Sequence, residues 1–278
     1  MALRRMPPPS PSTRGQLAVA LALTLACAGG GATAPAAHAA DDDMLAIPGG
    51  TFTMGRDDGP EDERPAHRVT LRDFRIDRLP VTNARFAEFL QAVGPVNGKG
   101  ERLYDIDDND ARIHRRGNRW VADAGFGNHP VNEVSWAGAR DFCAWLGKRL
   151  PTEAEWERAA RGDDGRLYPW GNNPPGPQHA HFGAGFNDTR PVTGHPAGAS
   201  PYGVLGMAGN AWQWVSSAYR PYPYRTDGRE DPASGPVRGT RGGGHDSSAA
   251  GIMATQRGRT LSRSPGAGHH NIGFRCAR

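Results

Sequence analysis

Helical patterns occur only in the middle of this sequence, and this restriction limits the folds that the chain can adopt. Thr82 and Ser135 are suitable N-caps, and apolar residues follow each at helical spacing until Gly94 and Gly147. A capping box over Thr152–Glu155 begins a third helix. We therefore expect three short helices in a fold that is otherwise extended or in turns.

Extended and turn-forming segments surround these helices. Residues Ile47–Gly55 predict two short strands around a Gly-Gly turn, and Arg68–Ile76 predicts one strand with a bulge. Residues Gly98–Asn118 are polar and irregular, which is typical of a surface insertion. Turn residues are dense from Tyr168 onward, in line with the 38 glycines and 24 prolines of this 278-residue chain. The order of elements predicts an α+β fold.

The N-terminal segment has the pattern of a cleaved signal peptide. Arginines without acidic neighbours precede the apolar stretch Leu17–Ala28, which is too short to span a bilayer. Ala37–Ala39 then provides a small-x-small cleavage site. We predict that residues 1–39 are removed, that residues 40–44 form a lead-in, and that the protein is periplasmic or secreted. A twin-arginine signal at Arg4–Arg5 and a lipid-modified Cys27 stay open as finer interpretations.

The basic charge of the chain does not indicate a nucleic-acid partner. The sequence has 33 basic and 29 acidic residues, a net charge of +4 and a pI near 9.2. Three of the arginines lie in the predicted signal peptide, so the mature chain is nearly neutral, and it has no run of like charges. We expect neither nucleic-acid binding nor a membrane span in the mature protein.

Two cysteines remain after removal of the signal peptide. They are Cys143 and Cys276, and export would place them in an oxidising compartment, where a pair of cysteines most simply forms a disulfide. Two buried free thiols are the alternative.

Seven sequence blocks, in one order, identify a family resemblance. They are IPGGTFTMG (Ile47–Gly55), PVTNARFAEFL (Pro80–Leu90), HPVNEVSWAGARDFCAWLGKRLPTEAEWERAARG (His129–Gly162), YPWGN (Tyr168–Asn172), YGVLGMAGNAWQW (Tyr202–Trp214), RGGG (Arg241–Gly244) and NIGFRCAR (Asn271–Arg278). Together they resemble the formylglycine-generating enzyme, or sulfatase-modifying factor, family over residues 45–278. The resemblance implies one α+β domain with a C-type lectin-like fold and little regular secondary structure. It also implies a disulfide between Cys143 and Cys276.

The residues that carry the family's founding chemistry are absent. That chemistry uses two cysteines that bind copper(I) as thiolates, and with oxygen it oxidises a substrate cysteine to formylglycine. Counted from the glycine block, the two positions hold Ser247 and Ile252, and the serine of the family's RGGS block is Gly244. A hydroxyl and an isoleucine cannot bind copper(I), so we expect neither copper(I) nor copper-dependent formylglycine formation.

The resemblance also implies a calcium site at the MAGN turn. The candidate ligands are Met207, Gly209, Ala211 and Gln213, the first three through backbone carbonyls. Related chains carry side-chain oxygens where this chain has Gly206 and Gln213, so calcium is expected to bind weakly if at all.

Polar residues between the glycine block and the C-terminus form the candidate active site. The candidate catalytic residues are His245, Asp246, Ser247 and Arg257. The candidate substrate-binding residues are Trp212, Gly244, His269 and Asn271. Three interpretations stay open: acid–base chemistry at His245 oriented by Asp246, an iron or copper(II) site that adds His269 or His270, and a solvated polar rim.

Two functions from different classes follow from the sequence. The first is an exported, cysteine-less member of the family that oxidises or otherwise modifies a peptide-like substrate, similar to the pyoverdine-maturation oxidase branch. The second is a non-catalytic peptide- or partner-binding module on the same fold. The cofactor of the first and the oligomeric state of both are left open.

Overall fold

The three helices form where their caps predict them. The computed structural model describes residues 43–233, 235, 237–258 and 266–278, so the predicted signal peptide lies outside the described residues. The helices are α1 (Asn83–Val93), α2 (Trp136–Trp145) and α3 (Glu153–Arg161). The hydroxyls of Thr82, Ser135 and Thr152 each accept a hydrogen bond from a backbone N–H of the first turn. None of the helices in the described residues is long and apolar enough to cross a membrane.

Short strands make up the rest of the regular structure. In chain order they are β1 (Met44–Ile47), β2 (Gly50–Met54), β3 (His67–Leu71), β4 (Phe74–Asp77), β5 (Ile113–Arg116), β6 (Arg119–Ala122), β7 (Trp212–Ala218), β8 (Arg238–Arg241) and β9 (Ile272–Phe274). Antiparallel pairs form between β1 and β4, β2 and β3, and β5 and β6. Strand β7 lies between antiparallel β8 and parallel β9. The α+β prediction is confirmed, with this three-stranded sheet in the turn-rich half where the sequence indicated no strand.

The prediction of one bulged strand over Arg68–Ile76 is wrong. The segment forms two strands, because β3 pairs with β2 whereas β4 pairs with β1. The chain changes partner where Asp73 accepts a hydrogen bond from the N–H of Gly49 at 2.6 Å. A Cβ on Gly49 would lie 2.7 Å from the backbone nitrogen of Asp73, so this close approach requires glycine.

The segment Gly98–Asn118 lies largely at the surface, as predicted, but it is anchored in the core by a few buried residues. Leu103, Tyr104 and Ile113 are fully buried, and the Tyr104 hydroxyl accepts hydrogen bonds from the backbone N–H groups of Arg112 and Ile113. The polar residues of the segment form an outer surface over these apolar anchors, which join the main core. Periodicity could not detect them, because the anchors are spaced irregularly.

The main core contains a cluster of aromatic rings and the disulfide. Phe86 of α1 packs on Phe142 of α2 and on Phe274 of β9, with ring centroids 5.6 and 6.0 Å apart. Cys143 and Cys276, both fully buried, are bonded with an S–S distance of 2.04 Å. The implied pairing is confirmed, and it ties α2 to the end of the chain.

A buried ion-pair network joins α3 to the C-terminal half. Glu153 and Glu157 of α3 contact Arg241 of β8, and Glu153 also accepts hydrogen bonds from Arg257 at 2.6 and 3.0 Å. All four side chains are fully buried in these pairs. Burial acts to raise the pKa of Glu153, but Arg257 and Arg241 outweigh it and hold this pKa below its usual value. The carboxylate is therefore charged in the folded protein.

Removal of the disulfide should strongly destabilise the protein. The bond closes a loop with a sequence separation of 133 residues. Loop-closure entropy of the unfolded chain predicts a loss of about 4–5 kcal/mol for Cys143→Ala/Cys276→Ala. Urea denaturation measures this loss, and dithiothreitol should lower the midpoint of the parent but not that of the double variant. A double variant within about 1 kcal/mol of the oxidised parent would contradict this.

Glu153→Gln should destabilise the protein because it leaves two buried guanidinium groups without their shared carboxylate. We expect a loss of about 3–5 kcal/mol at pH 7, measured by denaturant titration. Since the folded-state pKa of Glu153 is depressed, its stabilising effect is present above the unfolded value of about 4.3 and is lost as the pH falls below it. Glu153→Gln should therefore show a weaker loss of stability on acidification than the parent. The exposed Glu88→Gln is the control, and equal effects of the two changes would refute the role of Glu153.

Candidate functional site

The glycine block after β8 makes the turn that begins the candidate site. Gly242 and Gly243 have φ values of +97° and +74°, which L-residues with side chains rarely adopt. A Cβ on Gly243 would lie 2.5 Å from the carbonyl oxygen of Gly251. The turn brings residues 244–247 beside the start of β7 and the segment that leads into β9.

His245 lies buried at the base of the site. Its side chain is fully buried, and its Nδ1 lies 2.9 Å from the carbonyl oxygen of Asn210. A carbonyl oxygen only accepts, so Nδ1 is the donor in this contact and Nε2 is the unprotonated nitrogen of the neutral ring. Among the described residues, no hydrogen-bond partner contacts Nε2.

The side chain of Asn210 fixes the turn that receives His245. Its Oδ1 accepts from the backbone N–H of Arg190, and its Nδ2 donates to the carbonyl of Arg190, both at 2.9 Å. Asn210 also has a φ of +65°, which asparagine tolerates better than most residues.

Asp246, His270 and Asn271 form the outer layer of the site. The Nδ2 of Asn271 donates to both carboxylate oxygens of Asp246, at 3.2 and 3.0 Å. The His270 Nε2 lies 3.6 Å from Asp246 Oδ2, and the His270 ring lies 5.8 Å from that of His245. The exposed ring of Phe186 packs on His270 with centroids 4.1 Å apart. Phe186 is therefore a site residue that the sequence analysis missed.

Gly244 and Trp212 complete this arrangement. A Cβ on Gly244 would lie 2.9 Å from Asp246 Oδ1, 3.1 Å from the Trp212 ring and 3.4 Å from the Cβ of Asn271. Any side chain at this position would therefore displace its neighbours. Four of the predicted site residues thus lie close together in the structure. They are Trp212, Gly244, Asp246 and Asn271.

Three other predicted site residues have different surroundings. The Ser247 Oγ accepts a hydrogen bond from the backbone N–H of Gly244 at 3.0 Å, so it stabilises the turn. His269 packs near Trp214, with ring centroids 6.4 Å apart. Arg257 is not brought to the site, because its guanidinium group is held by Glu153 in the buried network.

The two positions that correspond to the family's copper ligands do not fit copper(I). Ser247 offers a hydroxyl that is already hydrogen-bonded, and Ile252 packs fully buried in a cluster with Tyr168, Ala180 and Ala208. Copper(I) requires soft ligands, and neither side chain supplies one.

Two of the four implied calcium ligands at the MAGN turn already accept hydrogen bonds. The Oε1 of Gln213 accepts hydrogen bonds from Trp156 at 2.9 Å and from the Arg275 guanidinium at 2.6 Å. The carbonyl oxygen of Gly209 accepts from the N–H of Ala211. These oxygens already have donors, and the positive charge of Arg275 beside them opposes a second cation. Of the implied set of Met207, Gly209, Ala211 and Gln213, the side chain of Gln213 is therefore poorly suited to bind calcium in this conformation.

Comparisons with known proteins agree with the fold and the sequence blocks. A family model described as the sulfatase-modifying factor enzyme 1-like domain matches residues 31–278. The chain is 35% identical over 280 residues to the mouse (Mus musculus) protein named inactive C-alpha-formylglycine-generating enzyme 2, covering 86% of this chain and 87% of the relative.

The matches to two further relatives cover different fractions of those proteins. The chain is 38% identical over 244 residues to the serine/threonine-protein kinase pkn1 of Chlamydia caviae, and this match covers 85% of the chain but only 38% of the relative. The structure of PvdO from Pseudomonas aeruginosa superposes with a TM-score of 0.64 at 25% identity, covering 84% of this chain and 93% of that one. The match over nearly the whole described chain, together with the disulfide and the seven blocks, establishes that this protein belongs to the sulfatase-modifying factor, or formylglycine-generating enzyme, family.

Proposed function

We propose that this protein is an exported binding module of its family that recognises a peptide-like ligand at the surface formed by Phe186, His270 and Asp246. The observation that carries the proposal concerns the two positions where the family has its copper-binding cysteines. In this chain the side chains at both positions have structural roles. Ser247 stabilises the turn, and Ile252 is part of an apolar cluster. The chain is also similar over most of its length to a relative whose name marks it as inactive.

The exposed groups of this surface suit a peptide. Phe186 is 68% exposed and offers an aromatic face, and the Asp246 side chain is 37% exposed and offers a charged acceptor. His245 is fully buried beneath them and is closed to a ligand in this conformation. An aromatic platform beside a carboxylate favours a peptide with an apolar side chain next to a lysine, an arginine or a free amino group.

A second candidate function is modification of the bound peptide by acid–base chemistry. The observation that favours it is the contact between His270 and Asp246, at 3.6 Å, in which a carboxylate orients an imidazole. The Nε2 of His270 is buried and faces this carboxylate, so Nδ1 is the ring nitrogen that would exchange a proton with a ligand. In this function Asp246 stabilises the imidazolium that forms.

Peptide selection followed by affinity measurement tests the binding function. A displayed random library is selected on the purified protein, and affinities of the selected peptides are measured by fluorescence anisotropy. Phe186→Ala and Asp246→Asn should each weaken binding about tenfold or more, because each removes a central contact. Val96→Ala, at an exposed apolar position elsewhere, is the matched control.

The outcome also separates the two candidate functions. A binding module leaves the mass of the peptide unchanged and consumes no oxygen with or without added copper or iron. A mass change that His270→Gln abolishes would favour the acid–base function. Failure to select any peptide, or affinities that Phe186→Ala leaves unaltered, would refute the proposed surface.

Export is tested by N-terminal sequencing of the protein from the periplasmic or secreted fraction. We expect the mature chain to begin at Ala40, because cleavage follows the small-x-small site. Leu21→Arg/Leu23→Arg interrupts the apolar stretch and should leave the chain unprocessed. Unprocessed parent protein confined to the cytosolic fraction would contradict the prediction.

A further inference from the structure

Three carboxylates outside the candidate site converge at one point. Asp108 and Asp110 lie in the loop before β5, and Glu133 precedes α2. Carboxylate oxygens of the three residues all lie within 4.8 Å of one another. Two oxygens bound to the same Ca²⁺ lie at most about 5 Å apart, since each Ca–O bond is about 2.3–2.6 Å. The spacing is therefore suitable for one calcium ion.

Glu133 provides a second and independent indication of a ligand. The residue is only 1% exposed, and its Oε2 has no hydrogen-bond partner among the described residues. The carboxylates of Asp108, Asp110 and Asp105 lie near enough to act on Glu133 electrostatically. A buried carboxylate that faces other carboxylates without a donor is costly, and a bound cation would remove that cost.

The backbone holds Glu133 in this position despite the cost. Its φ is +53°, in the left-handed region that a glutamate rarely adopts. Its N–H donates to the carbonyl of His269 at 3.0 Å, and its carbonyl accepts from the N–H of Asp105 at 2.9 Å. The side chain is therefore directed at the acidic loop by the fold itself.

Two buried or partly buried amides fix the acidic loop. The Nδ2 of Asn132 donates to the carbonyl of Asp110 at 2.9 Å, and the Nδ2 of Asn187 donates to Asp110 Oδ1 at 3.1 Å. Asn132 is 1% exposed, and its Oδ1 has no partner among the described residues. The amide of Asn132 thus contacts the backbone of the acidic loop and keeps one buried oxygen without a donor among the described residues.

The cluster lies directly against the segment that carries the candidate site. A Cβ on Gly268 would lie 2.6 Å from Glu133 Oε2, so glycine is required for this approach. The next residues include His270 and Asn271, which contact Asp246. An ion bound by Glu133 would therefore fix the segment that positions these side chains.

We propose that Asp108, Asp110 and Glu133 bind a calcium ion, which stabilises the chain between Gly268 and Asn271. The site consists only of hard oxygen donors, as calcium prefers. It is separate from the MAGN turn, where Gln213 Oε1 and the carbonyl of Gly206 accept hydrogen bonds from Arg275. The proposal does not depend on the identity of the peptide-like ligand.

Calcium titration of the purified, chelator-treated protein tests the proposal. Isothermal titration calorimetry with Ca²⁺ should give one site per chain, and Ca²⁺ should raise the thermal midpoint above that in EDTA. Glu133→Gln should weaken binding by about tenfold or more, since loss of a ligand costs at least as much as loss of its supporting contacts. In EDTA the thermal midpoint of this variant should be no lower than that of the parent, because glutamine places no negative charge beside Asp108 and Asp110.

Two more variants make the test specific. Asp108→Asn changes an exposed ligand and should lower the affinity without affecting folding, so it serves if Glu133→Gln fails to fold. Asp107→Asn removes one charge from the same loop but no ligand, and it should bind Ca²⁺ like the parent. Absence of Ca²⁺ binding by the parent would overturn the proposal. Affinities that Glu133→Gln and Asp108→Asn leave equal to that of the parent would overturn it as well, since the ion would then bind elsewhere.

Discussion

The buried ion pairs between α3 and the C-terminal half are the constraint on which the rest of this structure depends. The turn-rich half has little regular structure of its own, and it is attached to the helices by arginines that contact Glu153 and Glu157. Arg241 ends β8 and directly precedes the glycine block, so the pairing that anchors this residue also fixes where the candidate site begins. The disulfide provides the second anchor, between α2 and the end of the chain.

The sequence predicted the parts of this fold that local chemistry decides. Thr82, Ser135 and Thr152 each cap a helix, because an N-cap hydroxyl satisfies a donor within its own turn. Strand partners depend on distant segments, which is why the change of partner at Asp73 could not be seen in residues 68–76. The burial of Tyr104 depends in the same way on a core made by other parts of the chain.

The same distinction applies to the candidate site. The proximity of Gly244, Asp246 and Asn271 could be predicted from the sequence, because the sequence blocks that contain them resemble those of a family with a known fold. The role of Arg257 could not be predicted from the sequence, because the direction of its side chain depends on Glu153, which lies more than a hundred residues away in the chain. Phe186 had only a weak signal, as one of two phenylalanines in a short glycine-rich stretch without helical or strand periodicity.

Hydrogen–deuterium exchange of the parent and Arg241→Met tests most directly whether the buried pairs hold the candidate site. Loss of this guanidinium removes the buried contacts of β8 with both Glu153 and Glu157, which is strongly destabilising, although Arg161 still contacts Glu157. We expect faster exchange of the amides of residues 242–247 in the variant, with exchange in α1 unchanged under the same conditions. Unchanged exchange in residues 242–247, or an equal increase throughout the chain, would contradict it.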